Sequence, residues 1–442
     1  MTDPITPAPE TDEASTAESP PAEPAPLLTL RDGLPPVVET DDALADVCRR
    51  FAAGTGPVAI DAERASGYRY SSRAYLIQLR REGSGTALVD PIAFDGLAPL
   101  AHALDGVEWI LHAATQDLPC LAEVGLYPSE LFDTELAGRL LGYPRVGLAT
   151  LVESLLGFRL AKEHSAVDWS TRPLPEPWLE YAALDVEVLV ELRTLLGAEL
   201  EVAGKAEWAR QEFAHLVSVA PNGPRQDPWR RTSGLHRVRG RRTLAAVREL
   251  WQTRDAIASQ RDVTPGRILP DSAIVEAANA LPQDRTTLLA VKGFRGRGAE
   301  RYASQWVDAV RRARSLPDDE LPPMAARYDG PPPPRAWADR DPVAAARLAR
   351  ARTDLKELAE SHDLPVENLL TPDFVRRLLW EPPVDGDGGT LSELVAGRLT
   401  AMGARPWQVG LTSDLLATAI VEAEPADAPK SDKTGTDEAG PA

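Results

Sequence analysis

Cysteine is scarce in this 442-residue chain, which contains only Cys48 and Cys120. Two cysteines exclude a disulfide scaffold and a cysteine zinc site, and they fit a reducing compartment. No run approaches 18 apolar residues, so no transmembrane helix is expected. The N-terminus has neither the basic nor the apolar segment of a secretory signal. These absences predict a cytoplasmic protein without a membrane partner.

Positive charge is also scarce overall, because 67 acidic residues face 48 basic ones and the net charge is −19. The ends account for most of the excess. Residues 1–42 contain ten acidic residues and one basic residue, and residues 421–442 contain six and two. Residues 230–312 are the opposite, with 17 basic and eight acidic residues. Local sign decides whether a polyanion can bind, so this basic block keeps nucleic acid among the expected ligands.

Forty prolines and 31 glycines mark the boundaries between folded parts. Hydrophobic periodicity predicts one domain with strands and helices, followed by two blocks that are entirely helical. The predicted organisation is a disordered acidic tail at 1–36, an α/β domain at 37–215, a linker at 216–229, a helical domain at 230–316, a Pro-rich linker at 317–340, a second helical domain at 341–420 and a disordered acidic tail at 421–442.

The first folded domain is predicted to hold a mixed sheet with helices packed on it. Short connections between the first three strands predict an antiparallel beginning to that sheet. Asp41 or Asp42 is the expected N-cap of the first helix. The predicted strands cover 57–61, 74–80, 86–90 and 108–112, and the predicted helices cover 42–51, 115–124, 132–141, 148–156 and 176–201.

Four acidic residues and a tyrosine in this domain are candidates for a catalytic site. Asp61 and Glu63 end a strand at positions i and i+2, so both carboxylates project from one face. Asp117 lies where the next strand gives way to a helix. Tyr181 and Asp185, at i and i+4, share one face of a later helix.

Carboxylates gathered at one point repel each other unless cations neutralise them. Oxygen ligands suit magnesium or manganese, and two such ions can clamp the attacking and leaving oxygens of a phosphodiester. Simpler roles exist for each part. Asp117 could cap a helix, and Tyr181 with Asp185 could form an ordinary exposed helix face. The order of the three elements favours the catalytic interpretation.

The segments that carry these residues resemble the exonuclease domain of ribonuclease D, in the DEDD exonuclease superfamily. The matching segments are VAIDAERASGYRYSSRAYLIQL with Asp61 and Glu63, WILHAATQDLPCL with Asp117, and EYAALDVEVL with Tyr181 and Asp185. The intervening KEHSAVDWSTRPL resembles the same family. Tyrosine four residues before the last aspartate is typical of the tyrosine subclass.

The resemblance implies a ribonuclease H-like fold and metal-dependent 3′→5′ hydrolysis of RNA that releases nucleoside 5′-monophosphates. Two divalent ions, Mg²⁺ or Mn²⁺, would be held by Asp61, Glu63, Asp117 and Asp185, and Tyr181 would position the water. The implied substrates are tRNA precursors and other structured RNAs with short 3′ extensions, and a monomer is expected. Two alternatives remain at this point: a DNA 3′→5′ exonuclease, or an inactive nucleic-acid-binding adaptor.

The basic block supplies candidate RNA contacts. Arginine can bind phosphate through two N–H groups, and nearby glycines allow backbone N–H groups to approach it. The competing interpretation is a helix–helix turn with solvated arginines. Residues 243–314 resemble the HRDC domain, a helical module of helicases and ribonuclease D, and residues 341–420 would be a second copy. The candidates are Arg230, Arg231, Arg237, Arg239, Arg241, Arg242, Lys292, Arg295 and Arg297.

Two further features of the first domain have two interpretations each. Tyr68, Tyr70, Arg73 and Tyr75 could stack on a single strand of nucleic acid, but they also match an ordinary half-buried strand. His112 follows an apolar strand, and a structural hydrogen bond is expected there more than a catalytic role.

Overall fold

The computed structural model describes residues 24–161, 164, 166–218, 226–325, 330–384 and 389–423. Within these residues, six strands form one mixed sheet in the order β1-β4-β3-β2-β5-β6. The strands are β1 (Val37–Val38), β2 (Thr55–Arg64), β3 (Ala74–Glu82), β4 (Gly85–Val89), β5 (Glu108–Leu111) and β6 (Glu130–Asp133).

Strands β2, β3 and β4 are antiparallel to one another, whereas β5 and β6 on the other side of β2, and β1 beside β4, pair in parallel. β2 pairs antiparallel with β3, and β3 pairs antiparallel with β4. β2 pairs parallel with β5, and β5 pairs parallel with β6. Val58, Ala59 and Ile60 are fully buried because β2 is central and both of its faces are covered. The predicted mixed sheet with an antiparallel beginning is confirmed.

Helices flank this sheet, as in ribonuclease H-like domains. They are α1 (Asp41–Ala53), α2 (Ala98–Ala103), α3 (Leu118–Glu123), α4 (Thr134–Leu140), α5 (Leu148–Leu156), α6 (Glu176–Glu187), α7 (Leu189–Val202) and α8 (Ala206–Ser218). Helix α6 packs against β2, β3 and β4. It therefore covers the sheet face from which the strand carboxylates project.

Three local expectations for this domain are corrected. Thr40, and not Asp41 or Asp42, is the N-cap of α1, since its side chain accepts a hydrogen bond from Ala43 N. The helix predicted at 132–141 begins with edge strand β6, which was too short to show a periodicity. The helix predicted at 176–201 is interrupted at Val188, where φ is −113° and ψ is −3°.

The rest of the described chain is helical. The helices are α9 (Arg241–Arg261), α10 (Pro265–Ile268), α11 (Asp271–Ala280), α12 (Arg285–Ala290), α13 (Arg297–Arg301), α14 (Ala303–Ser315), α15 (Trp337–Arg340), α16 (Pro342–Ser361), α17 (Val366–Leu369), α18 (Pro372–Trp380), α19 (Leu391–Ala401) and α20 (Pro406–Glu422). No described helix is long and apolar enough to cross a bilayer.

The two helical modules, α9–α14 and α16–α20, repeat one order of elements. Each begins with a long helix that ends at an aspartate with positive φ, Asp262 at 45° and Asp363 at 49°. A four-residue helix follows in both. Before the last helical stretch both modules turn at a glycine, Gly293 with φ 96° and Gly403 with φ 97°. This correspondence supports the prediction that residues 341–420 are a second copy of the first module.

The predicted tails and linkers are shorter than expected. Residues 24–36 are ordered: Leu28 is buried, and its N–H donates to Arg159 O at 2.9 Å. Trp229 and Leu321, assigned to linkers, are buried in the core of the first module, and Trp337 is buried against the second. Apolar side chains account for each correction, because the surrounding Pro-rich composition hid them. The other predicted tail and linker residues, 1–23, 219–225, 326–329 and 424–442, lie outside the described residues.

The second module is packed firmly on the α/β domain. The two share one apolar core, in which Phe132 and Leu184 join Leu348 and Leu416. Lys205 Nζ donates to Leu140 O of the α/β domain at 2.7 Å and to His362 O of the second module at 2.6 Å. The first module has a core of its own, against which Tyr70 of the α/β domain packs.

Candidate active site

Three carboxylates converge beneath helix α6. Asp61 and Glu63 lie on β2 opposite Gln78 and Leu76 of β3, so the i and i+2 positions share a face as predicted. Asp185 reaches them from α6. One ligand oxygen from each of Asp61, Glu63 and Asp185 lies within 4.8 Å of the others. The spacing in the sequence thus produces a compact set of oxygen ligands.

Asp117 lies close enough to these carboxylates for the charge of Asp61 to raise its pKa. It is not one of the three residues whose ligand atoms lie within 4.8 Å of one another. It occupies the N-cap position of α3 without making a capping hydrogen bond, so the simpler helix-cap role has no support. Its Oδ1 lies 3.7 Å from Arg64 Nη2. Sequence reasoning missed Arg64, although it directly follows Glu63. A register shift between Glu63 and Arg64 breaks the alternation that would send neighbouring side chains to opposite faces.

A buried aspartate shapes the turn that carries Asp117. Ala113 has φ 59°, a left-handed conformation that costs free energy for a residue other than glycine. Asp133 accepts from Ala113 N at 3.0 Å and Ala114 N at 2.9 Å, and it also caps α4 at Glu135 N and Leu136 N. Four backbone donors therefore hold one carboxylate and fix the turn. The interpretation of 132–141 as helix concealed this cap.

Burial of several carboxylates beside a single arginine raises the pKa values of the site. Burial, then Asp61 and Asp185, raise the pKa of Glu63 to about 10. Burial and Asp61 raise the pKa of Asp117 to about 8. Burial also raises the pKa of Asp61 and of Asp185. In the described residues, Arg64 is the cation that opposes these shifts at Asp61, Glu63 and Asp117.

Tyr181 completes the group from the same helix as Asp185. Burial and the charge of Asp185 raise the pKa of its hydroxyl above the ordinary value. The Tyr181 hydroxyl and the Asp185 carboxyl are close enough to shift each other's pKa, with the pKa of the tyrosine raised by the aspartate. A phenol that keeps its proton is a donor at neutral pH, so it can orient an oxygen atom placed between itself and the carboxylates.

Comparison with known proteins identifies this arrangement. Residues 35–201 match the family model described as 3′-5′ exonuclease, and residues 243–310 match the HRDC domain model. Ribonuclease D of Gluconacetobacter diazotrophicus is 33% identical over 337 residues, which cover 74% of this chain and 82% of that protein. The chain belongs to the ribonuclease D family.

Solved structures agree with this assignment. The crystal structure of Escherichia coli RNase D, titled an exoribonuclease involved in structured RNA processing, aligns with a TM-score of 0.62 at 27% identity, covering 83% of this chain and 98% of that one. A crystal structure of a protein from Bifidobacterium adolescentis aligns with a TM-score of 0.82 at 38% identity, covering 90% and 100%. This ribonuclease D family member is accordingly a 3′→5′ exoribonuclease.

The second helical module matches a model with a different description. Residues 330–420 match the family model described as 3′ to 5′ exonuclease C-terminal domain. The HRDC-like character of this module therefore stays a prediction, which its order of helices supports.

The residues of the ribonuclease D site fit a hard divalent cation. DEDD exonucleases are metal-dependent, and the donor set consists of carboxylate oxygens without a thiolate or imidazole. The raised pKa values of Glu63 and Asp117 have the physical cause that a cation would remove, namely uncompensated negative charge in a buried place.

Two neighbouring residues have structural roles. His112 Nδ1 lies 2.9 Å from Thr134 Oγ1, and burial lowers the pKa of the imidazole to about 4. The predicted structural hydrogen bond at His112 is confirmed. Burial raises the pKa of the Cys120 thiol to about 12, so it stays a protonated, unreactive group.

Three arginines of the predicted basic block are used inside the first module. Arg230 lies over the Trp229 ring and donates to Pro323 O at 2.9 Å. Arg241 donates to Leu321 O, and Arg242 donates to Ala313 O at 3.2 Å and pairs with Asp318. Backbone carbonyls and a carboxylate occupy these donors, which argues against phosphate binding by Arg230, Arg241 and Arg242.

Some of the other candidate RNA-binding residues already have a partner within the protein, and others have none among the described residues. Arg237 pairs with Glu276 at 3.2 Å, and Arg239 donates to His236 O at 2.9 Å. Arg231, Lys292 and Arg295 are exposed and make no hydrogen bond or ion pair with any described residue. The side chain of Arg297 lies outside the described set. RNA binding through Arg231, Lys292 and Arg295 remains the prediction that this geometry favours.

Proposed function

We propose that this ribonuclease D family member removes nucleotides singly from the 3′ ends of tRNA precursors and other structured RNAs with short 3′ extensions, releasing nucleoside 5′-monophosphates. The observation that carries the proposal is the convergence of Asp61, Glu63 and Asp185 within 4.8 Å, with Tyr181 one turn before Asp185 on α6. Such a site accepts a chain end and a phosphodiester.

The proposed cofactor is a pair of Mg²⁺ or Mn²⁺ ions. Asp61, Glu63, Asp117 and Asp185 would hold them, and the ions would supply Lewis-acid stabilisation of the phosphoryl oxygens. Arg64 would turn from Asp117 towards the RNA phosphate, since its 3.7 Å contact is longer than a hydrogen bond. Tyr181 would hold the attacking water by donating its hydroxyl proton in a hydrogen bond.

RNA is held, in this proposal, by the exposed cations of the first module. Arg295 is the equivalent of Arg405 in the second module, because they follow Gly293 and Gly403 at the same distance. Arg405 Nε binds the Glu212 carboxylate at 2.8 Å. The corresponding position in the first module thus presents an unpaired guanidinium, and an RNA phosphate is the matching anion.

The decisive experiment uses a 3′-extended tRNA and a single-stranded DNA of matching sequence, both labelled at the 5′ end. Each is incubated with Mg²⁺ or Mn²⁺ and either the purified protein or its Asp185→Asn variant. We expect shortening from the 3′ end of the RNA, absent in the variant. Faster shortening of DNA would establish a DNA exonuclease instead. Binding without any metal-dependent shortening would establish an inactive adaptor.

The oligomeric state and the cellular compartment are part of the same proposal. A monomer is expected, and light scattering of the purified protein would test it. The cytoplasm is the expected compartment, because an exposed 3′-extended RNA is found there.

A further inference from the structure

Several contacts join the first helical module to the exonuclease domain, and the carboxylate of Asp262 lies at their centre. Asp262 lies at the C-terminal end of α9 in a left-handed conformation, φ 45°. Its Oδ1 accepts from Tyr70 N at 3.2 Å and from Ser71 N at 3.0 Å. Its Oδ2 accepts from the Tyr75 hydroxyl at 3.4 Å. Two backbone donors of the segment that follows β2 and the hydroxyl of Tyr75, at the start of β3, therefore converge on Asp262.

Further contacts flank Asp262 on the same segment. The Tyr70 hydroxyl donates to Asp255 Oδ2 at 3.0 Å, and Asp255 lies seven residues, or two helical turns, before Asp262. Thr264 N donates to Tyr68 O at 3.0 Å, and Arg267 lies over the Tyr68 ring at 4.3 Å. The sequence did not decide whether Tyr68 and Tyr70 contact nucleic acid or belong to an ordinary strand. In the structure both residues contact the first helical module.

The docked segment is continuous with the catalytic machinery. It starts directly after Glu63 and Arg64 and ends where β3 begins. Tyr68 and Tyr75 belong to the apolar cluster that also contains Tyr181 and the buried Ala182 of α6. A displacement of this segment would move the end of β2 that bears Glu63, and it would loosen the packing around Tyr181.

We infer that Asp262 is a positioning residue of the active site, and that docking of the first helical module holds Glu63 and Tyr181 in the geometry needed for hydrolysis. The inference rests on the proposed exonuclease activity. A module that served only as an RNA-binding tether would need apolar contact alone. Here a carboxylate is directed at two backbone N–H groups of the segment, which fixes its path and not merely its proximity.

The test compares variants of the full-length protein on the 3′-extended tRNA. Asp262→Gly removes the carboxylate and tolerates the left-handed backbone. Asp262→Asn keeps an acceptor oxygen and also tolerates that conformation. Asp363→Gly is the matched control, because Asp363 has the same conformation at the same place in the second module and is exposed.

We expect Asp262→Gly to lower kcat by about tenfold or more, the usual effect of losing a residue that orients an active-site group, with KM changed much less. Asp262→Asn should retain most of kcat, and Asp363→Gly should equal the parent protein. Hydrogen exchange of the Tyr70 and Ser71 amides should accelerate in Asp262→Gly, because their acceptor is gone.

A rise in KM with unchanged kcat would overturn the inference and leave the module as an RNA tether. Accelerated exchange with unchanged kcat would also overturn it. If Asp262→Gly fails to fold, Tyr70→Phe, which removes only the bond to Asp255, takes its place with the same split between kcat and KM. Inactivity of the parent protein would defeat the proposed function itself, so the two failures are distinguishable.

Discussion

At the scale of single residues, the candidate active site combines carboxylates that are partly removed from solvent with groups that compensate their negative charge. Asp61, Glu63 and Asp185 are the proposed metal ligands, and Arg64 is the cation beside them. Asp133 differs from these because its charge is satisfied by four backbone N–H groups. It shapes the site without belonging to the metal-ligand cluster.

Replacing Asp133 by alanine should lower kcat about 10–100-fold, because the left-handed turn at Ala113 would relax and Asp117 would lose its placement. Stability should also fall by about 1–3 kcal/mol, since buried N–H groups lose their acceptor. Steady-state kinetics and thermal unfolding measure the two effects. Thr40→Ala removes the cap of α1 by the same chemistry away from the site, and it should lower stability with kcat unchanged. Equal kcat in both variants would contradict the role given to Asp133.

Metal-free protein should lose stability as the pH rises. The pKa of Glu63, about 10, and that of Asp117, about 8, lie above their unfolded values near 4. The folded state therefore holds extra protons, and this stabilisation is complete below about pH 4 and is lost as the pH rises through 8 to 10. Cations relieve the repulsion, so the melting temperature with Mg²⁺ minus that with EDTA should increase from pH 6 to pH 9.

The Glu63→Gln variant is the control for this pH effect, because its amide carries no charge. Its difference in melting temperature should be smaller and should change less with pH. A difference that stays constant with pH in the parent protein would mean that the carboxylates are already ionised and compensated without metal.

At the scale of elements, the chain shows why similar arginines have different roles. Arg242 is the second residue of α9 and reaches the carbonyls that end α14, which have no partner within their own helix. Arg231 belongs to the same basic sequence but points to solvent without a partner among the described residues. Composition treats the two as equal, and only the position of α14 distinguishes them.

Arg242→Ala should destabilise the first module by about 1.5–3 kcal/mol, because charged hydrogen bonds to carbonyls are lost. Arg231→Ala should leave stability unchanged and weaken RNA binding, with the slope of log affinity against log salt reduced by about one. Denaturant unfolding and RNA titration at several salt concentrations measure the pair. If Arg231→Ala lowered stability and Arg242→Ala weakened RNA binding alone, the structural role would belong to Arg231 and the RNA-binding role to Arg242.

At the scale of the whole molecule, the second module is held to the exonuclease domain by a buried ion pair. Glu212 of α8 accepts from Arg405 Nε at 2.8 Å and from Trp407 Nε1 at 2.9 Å. The Trp208 and Trp407 rings stack at 4.8 Å. Gly142 allows close approach at the same boundary, because a Cβ there would lie 2.5 Å from Asp363 O.

Glu212→Ala should cost about 3–5 kcal/mol, because it leaves the guanidinium of Arg405 buried without a partner. Unfolding should then separate into two transitions as the second module detaches. Glu207→Ala on the same helix breaks an exposed pair with Arg210 and should leave the free energy of unfolding nearly unchanged, because solvent screens that pair. Calorimetry distinguishes the two variants, and one sharp transition in Glu212→Ala would contradict this account of the interface.

The sequence by itself determined which of the candidate site residues share a face of a strand or a helix, and the order of the domains, because alternation in a strand and the turn of a helix are local rules. Asp61 with Glu63 and Tyr181 with Asp185 needed no knowledge of distant residues. Only the tertiary structure decided the roles of Asp133, 20 residues from Ala113, and of Asp262, 192 residues from Tyr70. Their hydrogen bonds depend on which segments the fold brings together, and no local periodicity records that.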